Sequence, residues 1–150
     1  MARYRHDLPQ LKDGIFLSDG GMETTLIFHE GVDLPHFASF VLLETETGRQ
    51  HLQRYYEHYL RIARDNRVGF VLDSAGWPAN PDWGARLGYD ADALKAINVA
   101  SIELLEGLRA KWETRIQLYT IVICALRAVC WVHTETSQAA CIPALRLVNR

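Results

Sequence analysis

Residues 17–28 read LSDGGMETTLIF: a short apolar run stops at Asp19, two glycines follow, and Met22-Glu23-Thr24-Thr25 begins a new segment. Glycine accepts backbone angles and close approaches that a Cβ forbids, so a Gly-Gly pair directly after a strand makes room for a sharp turn or a bound group. An acid beside that gap is either a turn former or a carboxylate aimed at a cation. The pair lacks the G-x-G-x-x-G spacing of a dinucleotide fingerprint and the Lys-Ser/Thr ending of a phosphate loop, which disfavours nucleotide binding. Glu23 is expected to complement the dipole of the short helix that follows.

Working outward, Ile15–Ser18 is the first expected strand, reached after the polar stop Lys12-Asp13-Gly14. The stretch from about Gly31 to Phe40 holds Gly31, Asp33, Pro35 and Ser39 and reads as a long loop. Residues 42–66 then turn helical, with Thr45 or Thr47 available as N-cap and an apolar stripe of Leu52, Tyr55, Tyr59 and Ile62 expected to face a sheet. Val68, Phe70, Val71 and Leu72 form a compact run with little alternation, the pattern of a strand covered on both faces, and this strand also ends on an aspartate, Asp73. The proline- and glycine-rich residues 78–89 read as loop. Asp90 or Asp92 can cap a second helix, in which Leu94, Ile97, Ser101, Leu104, Leu105, Leu108 and Trp112 recur at helical intervals. Residues 116–126, IQLYTIVICAL, read as a third strand through their Ile and Val content. The β-α-β-α-β order is that of a parallel α/β protein with right-handed crossovers.

In such folds ligands gather at the carboxyl ends of the strands, where Asp19 and Asp73 both sit. If their strands are neighbours, two carboxylates reach one basin, able to hold an ammonium group or accept a proton; the competing reading makes each a turn residue. A small hydrolase using the two acids is a third, purely geometric reading. Trp77 and Trp83 flank the loop after the second strand and either cap the core or wall a pocket. His51 and His58, seven apart, do not form the i,i+4 pair that shares a zinc and read as solvated helix-face residues. Cys124, Cys130 and Cys141 match no compact zinc pattern and read as small buried residues.

Composition sets the class and exposes a seam. The chain of 150 residues is 49% hydrophobic and 23% charged, with a formal charge of −2. These values describe an ordinary globular protein and argue against nucleic acid or an anionic membrane as partner. The first residues lack a signal-peptide core and no apolar stretch approaches the length of a membrane span, so the expected location is cytoplasmic. All ten glycines lie at or before Gly107, and all three cysteines lie after it. Residues 1–114 carry 17 acidic and 12 basic side chains, a net of −5; residues 115–150 carry one and four, a net of +3. A shift of this kind marks a boundary, and 36 residues are too few for an independent domain without a staple.

Residues 14–112 resemble the amino-terminal part of the homocysteine S-methyltransferase family, its homocysteine-binding domain. The likeness is carried by Asp19-Gly20-Gly21-Met22-Glu23-Thr24, the Asp33-Leu34-Pro35 turn, the Tyr55-Tyr56 helix and the strand exit running through Trp77 to residues 80–89, NPDWGARLGY. The resemblance implies a partial TIM-type (β/α)8 barrel, of which this chain supplies the first two or three βα units. It implies methyl transfer from a donor to the homocysteine thiolate, giving methionine. Asp19 and Gly20, with Gly21 beside them, would hold the amino-acid portion of homocysteine, and Trp77 would wall the same pocket; Asp73 is added to the candidate site by its place at the neighbouring strand end. In the full-length family a zinc held by three cysteines binds the sulfur as thiolate. One of those cysteines follows the sixth strand and an adjacent pair lies near the eighth, and this chain has no Cys-Cys pair. Gly76 and Pro78 stand where the family has a Thr-like and an Arg-like residue. A complete barrel takes about 250 residues, so the chain is expected to be inactive alone, with residues 1–114 as barrel sequence and 115–150 as a frame-shifted tail or a divergent third unit. The alternative is a non-catalytic α/β fragment that self-associates through open sheet edges.

Overall fold

The computed structural model describes residues 7–12, 14–113 and 121–124. Three strands, β1 (Phe16–Ser18), β2 (Gly69–Asp73) and β3 (Ile121–Cys124), form one parallel sheet in the order β1-β2-β3. Phe16 lies opposite Gly69 and Ser18 opposite Val71; Phe70 lies opposite Ile121 and Asp73 opposite Cys124. Helices fill the connections: α1 (Met22–Thr24), which winds on as a wider turn through Thr25–His29, α2 (Glu46–Asn66), α3 (Pro81–Arg86) and α4 (Ala91–Glu113). The chain is therefore mixed α/β with parallel strands. Apart from β3, the 115–150 segment lies outside the described residues, and so do Cys130 and Cys141.

β2 is the central strand because its side chains suit cover on both faces: Phe70 and Leu72 are fully buried and Val71 is half-buried. It opens on Gly69 for a steric reason. The Phe16 ring of β1 occupies the space that a Cβ at 69 would need.

α2 starts where Thr45 Oγ1 accepts from the Gly48 N–H at 3.0 Å, the first of the two expected caps. It ends where Arg67 turns left-handed, φ 57°, and the Val68 N–H donates to the Ala63 carbonyl. Its buried face is Gly48, Leu52, Tyr55, Tyr56, Leu60 and Ala63. The expected stripe is thus corrected at Ile62, which is 39% exposed. At roughly 100° per residue the buried set centres near Tyr56 and Ala63, and Ile62 falls at its border. Burying a leucine fully contributes about 1.5–3 kcal/mol and an N-cap about 1 kcal/mol, so Leu52 and Leu60 outweigh Thr45 in holding α2.

α4 begins at Asp90, whose Oδ1 accepts from the Ala93 N–H at 2.8 Å. It buries Leu94, Ile97, Ser101, Leu105, Leu108 and Trp112, the expected set, with Leu104 partly covered. Lys111 Nζ reaches Glu57 Oε1 at 2.6 Å and ties α4 to α2. Two loop expectations change. Residues 81–86 form α3, because Asn80 Oδ1 accepts from the Asp82 and Trp83 N–H groups and Pro81 fits the first helical position. The segment 31–44 winds into two short 3₁₀ turns, Pro35–Phe37 and Ser39–Glu44, and the second buries Ser39, Phe40, Leu42 and Leu43 against the core. Among the described residues no helix is long and apolar enough to cross a membrane.

Candidate functional site

Asp19 and Asp73 leave adjacent parallel strands at the same end of the sheet, because Ser18 pairs with Val71 two residues before Asp73. The Asp73 charge raises the pKa of the Asp19 carboxyl, and so does that of Glu23. Glu23 was expected only to complement a helix dipole. It stands in the first turn of α1, but its Oε1 accepts from Ser39 Oγ at 2.7 Å, and Ser39 is fully buried. The rim therefore carries three carboxylates.

Three phenols from α2 meet this rim. Tyr55 Oη donates to Asp19 Oδ2 at 2.9 Å and lies 3.1 Å from the Gly20 carbonyl; Tyr59 Oη donates to that carbonyl at 2.9 Å. Tyr55 has one proton, and the charged acceptor at the shorter distance makes the stronger bond, so the proton goes to Asp19 while Tyr59 serves Gly20. Tyr56 Oη donates to the Asp73 carbonyl at 2.6 Å. The rings pack edge to face, with centroids 5.5 Å apart for Tyr55–Tyr56 and 5.2 Å for Tyr55–Tyr59. A buried phenol needs a partner for its hydroxyl. That rule applied to the Tyr55-Tyr56 pair and Tyr59 was the available signal for these site residues; the periodicity reading counted Tyr55 and Tyr59 only as part of an apolar stripe and left Tyr56 out of it.

Asp19 itself is half-buried, and its Oδ1 is shielded from solvent without a hydrogen-bond partner. Burial holds its carboxyl above the ordinary carboxylate value. The Tyr55 hydrogen bond and, more weakly, the backbone N–H of Asp19 itself oppose that rise, and the Asp73 and Glu23 charges add to it. Tyr55 is pushed well above the usual phenol range by burial and by the Asp19 charge, so its hydroxyl stays a donor.

The two glycines answer to different constraints. Gly21 has φ 64°, a left-handed angle that an L side chain pays for in strain. Gly20 has no such angle, and a Cβ added there would meet nothing within 4 Å. The protein's own packing does not require glycine at 20, and the space beside its backbone is open.

Trp77 lies on the turn beyond β2 and is 54% exposed, so it is not a cap on the core; the neighbouring Pro78 is buried instead. Trp83 sits on α3, with the Arg86 guanidinium 4.9 Å from its ring centroid and His36 at 6.1 Å. The open depression lined by Pro81, Asp82, Trp83, Ala85 and Arg86 is one face of this short helix, and none of the three rim acids lines it. His51 departs from the solvated reading: its Nδ1 lies 2.7 Å from Glu30 Oε2 and joins α2 to the end of the α1 turn. Among the described residues, no three of His, Cys, Asp and Glu gather where they could hold a metal ion. Compared with family models, curated proteins and solved structures, the chain matches none.

Proposed function

We propose that the strand-end rim binds the amino-acid portion of homocysteine, as the first βα units of a TIM-type (β/α)8 homocysteine S-methyltransferase would. One observation carries the reading: Asp19 keeps one carboxylate oxygen, Oδ1, shielded and without a donor while Tyr55 holds the other. A shielded anionic oxygen with no donor costs free energy that an incoming ammonium would recover. The open space at Gly20 lets a substrate backbone approach, and Asp73 with the exposed Trp77 stands at the next strand exit.

The methyl donor and the zinc of the full-length family belong to parts of a barrel that these residues do not supply. A zinc there needs three thiolates; the described residues gather no such set, and the sequence has no adjacent cysteines. The residues do not fit the metal, and the reading for this chain is confined to holding and orienting the amino acid. Calorimetric titration of the 150-residue protein with L-homocysteine tests it. Wild type binds, and Asp19→Asn weakens binding roughly tenfold or more, the worth of a hydrogen bond to a charged group. Equal binding by the two proteins, or none by wild type, overturns the proposal.

A second reading, a non-catalytic α/β fragment that self-associates, is favoured by β1. This three-residue strand pairs only with β2 among the described strands, and Ile15 beside it is 69% exposed. Sedimentation over a range of concentrations tests it.

A further inference from the structure

We infer that Tyr55 is a positioning residue: it ties down Oδ2 of Asp19 and leaves Oδ1 to be occupied, in alternation, by a proton or by the ammonium group of an amino-acid substrate. This rests on the homocysteine reading for the identity of the substrate and goes beyond it in assigning a proton-coupled site.

The geometry supplies each step. The Tyr55 hydroxyl is the one side-chain donor on the Asp19 carboxylate among the described residues, at 2.9 Å on Oδ2. Tyr55 is 3% exposed and wedged between Tyr56 and Tyr59, so its ring has no room to swing the hydroxyl away. Oδ1 is left without a donor. Among the described residues, the groups facing Asp19 are Tyr55, Tyr56 and Tyr59 from α2, Glu23 from α1 and Asp73 from β2. None of them is a cation. A shielded oxygen surrounded by acids and phenols can be satisfied in two ways: by taking a proton itself, or by accepting from a cation brought in from solution. The two exclude each other at one oxygen. Binding of the ammonium to protonated Asp19 therefore expels one proton to solvent, and ammonium affinity rises with pH through the Asp19 titration.

Tyr55 sets where that titration lies, because its hydrogen bond favours the carboxylate form against burial and the Asp73 and Glu23 charges. Tyr59 donates to the Gly20 carbonyl instead and does not act on the carboxylate. Removing either hydroxyl takes one hydrogen bond from the turn, but only one of them changes the titration.

The test is a carbon-detected NMR titration of the Asp19 carboxyl in wild type, Tyr55→Phe and Tyr59→Phe, each checked for a dispersed amide spectrum. Phenylalanine keeps the ring packing at both sites. The expected result is an upward shift of the Asp19 midpoint in Tyr55→Phe and an unmoved midpoint in Tyr59→Phe. L-homocysteine is then titrated into wild type at a pH near the midpoint, in buffers of differing ionisation enthalpy, and the heats should report release of a fraction of a proton per site, equal to the share of Asp19 protonated at that pH. If Tyr55→Phe titrates like wild type, or if both variants shift alike, the positioning role is overturned. If homocysteine binds without proton release, the competition at Oδ1 is overturned. If homocysteine fails to bind while Tyr55→Phe still shifts the midpoint, the homocysteine reading falls and Tyr55 retains its role.

Discussion

Gly20 and Gly21 are chemically identical neighbours with different physical duties, and single substitutions separate them. Gly21 occupies the left-handed region at φ 64°, where a Cβ costs roughly 1–2 kcal/mol. Gly20 occupies an ordinary region with nothing near its missing Cβ. Urea denaturation is therefore expected to show Gly21→Ala destabilised by about 1 kcal/mol or more, and Gly20→Ala within about 0.5 kcal/mol of wild type. The same Gly20→Ala protein should bind L-homocysteine more weakly, since the methyl fills space the fold leaves open. An equal loss of stability in the two variants would remove the distinction. The Asp19-Gly20-Gly21 sequence told where the turn would be. It did not tell which glycine serves the backbone, because that depends on a dihedral angle and on what stands within 4 Å.

At the scale of elements, α2 shows how periodicity locates a helix more surely than it locates the face. Leu52 and Tyr55 belong to the buried side as expected, while Ile62 lies at its border and Leu60 is fully enclosed. An isolated stripe of apolar letters does not say how wide the buried face is; the neighbours decide, here the sheet on one side and α4 on the other. Leu60→Ala is expected to cost about 2–5 kcal/mol and Ile62→Ala less than about 1 kcal/mol, read as the difference in urea midpoint at constant m-value. Similar losses at both positions would mean that the face is wider than described. α3 makes a complementary point. Asn80-Pro81 is as good a helix start as it is a turn, and the outcome was decided when Asn80 found two backbone donors to satisfy.

For the whole molecule, the consequence of three parallel strands among the described residues is an edge at β1. β1 offers only three residues there, and Leu11, Ile15 and Phe28 around the amino-terminal part are 77%, 69% and 71% exposed. Open strand edges bordered by apolar side chains recruit other chains. Sedimentation velocity should accordingly show mass rising with concentration, and Ile15→Lys should return the protein toward a single monomeric species by placing a charge beside the edge. A monomer at all concentrations in wild type argues against association through β1. The ion pair Glu57–Lys111, with Lys111 41% exposed, contributes below about 1 kcal/mol and does not offset such an edge.

The sequence by itself determined the alternation of strands and helices, two candidate caps for each long helix, the buried set of α4 and the placing of Asp19 and Asp73 at strand exits. These are written in spacing of about two or 3.6 residues and in side chains that bond to their own nearby backbone, interactions that reach only a few positions along the chain. Only the tertiary structure decided that two tyrosines of α2 fasten the turn after β1 and a third the end of β2, that Glu23 answers to Ser39 from sixteen residues away, and that one oxygen of Asp19 is left over. Those outcomes depend on which hydroxyl meets which acceptor once the sheet and α2 are packed, and no local pattern encodes a meeting between groups 36 residues apart.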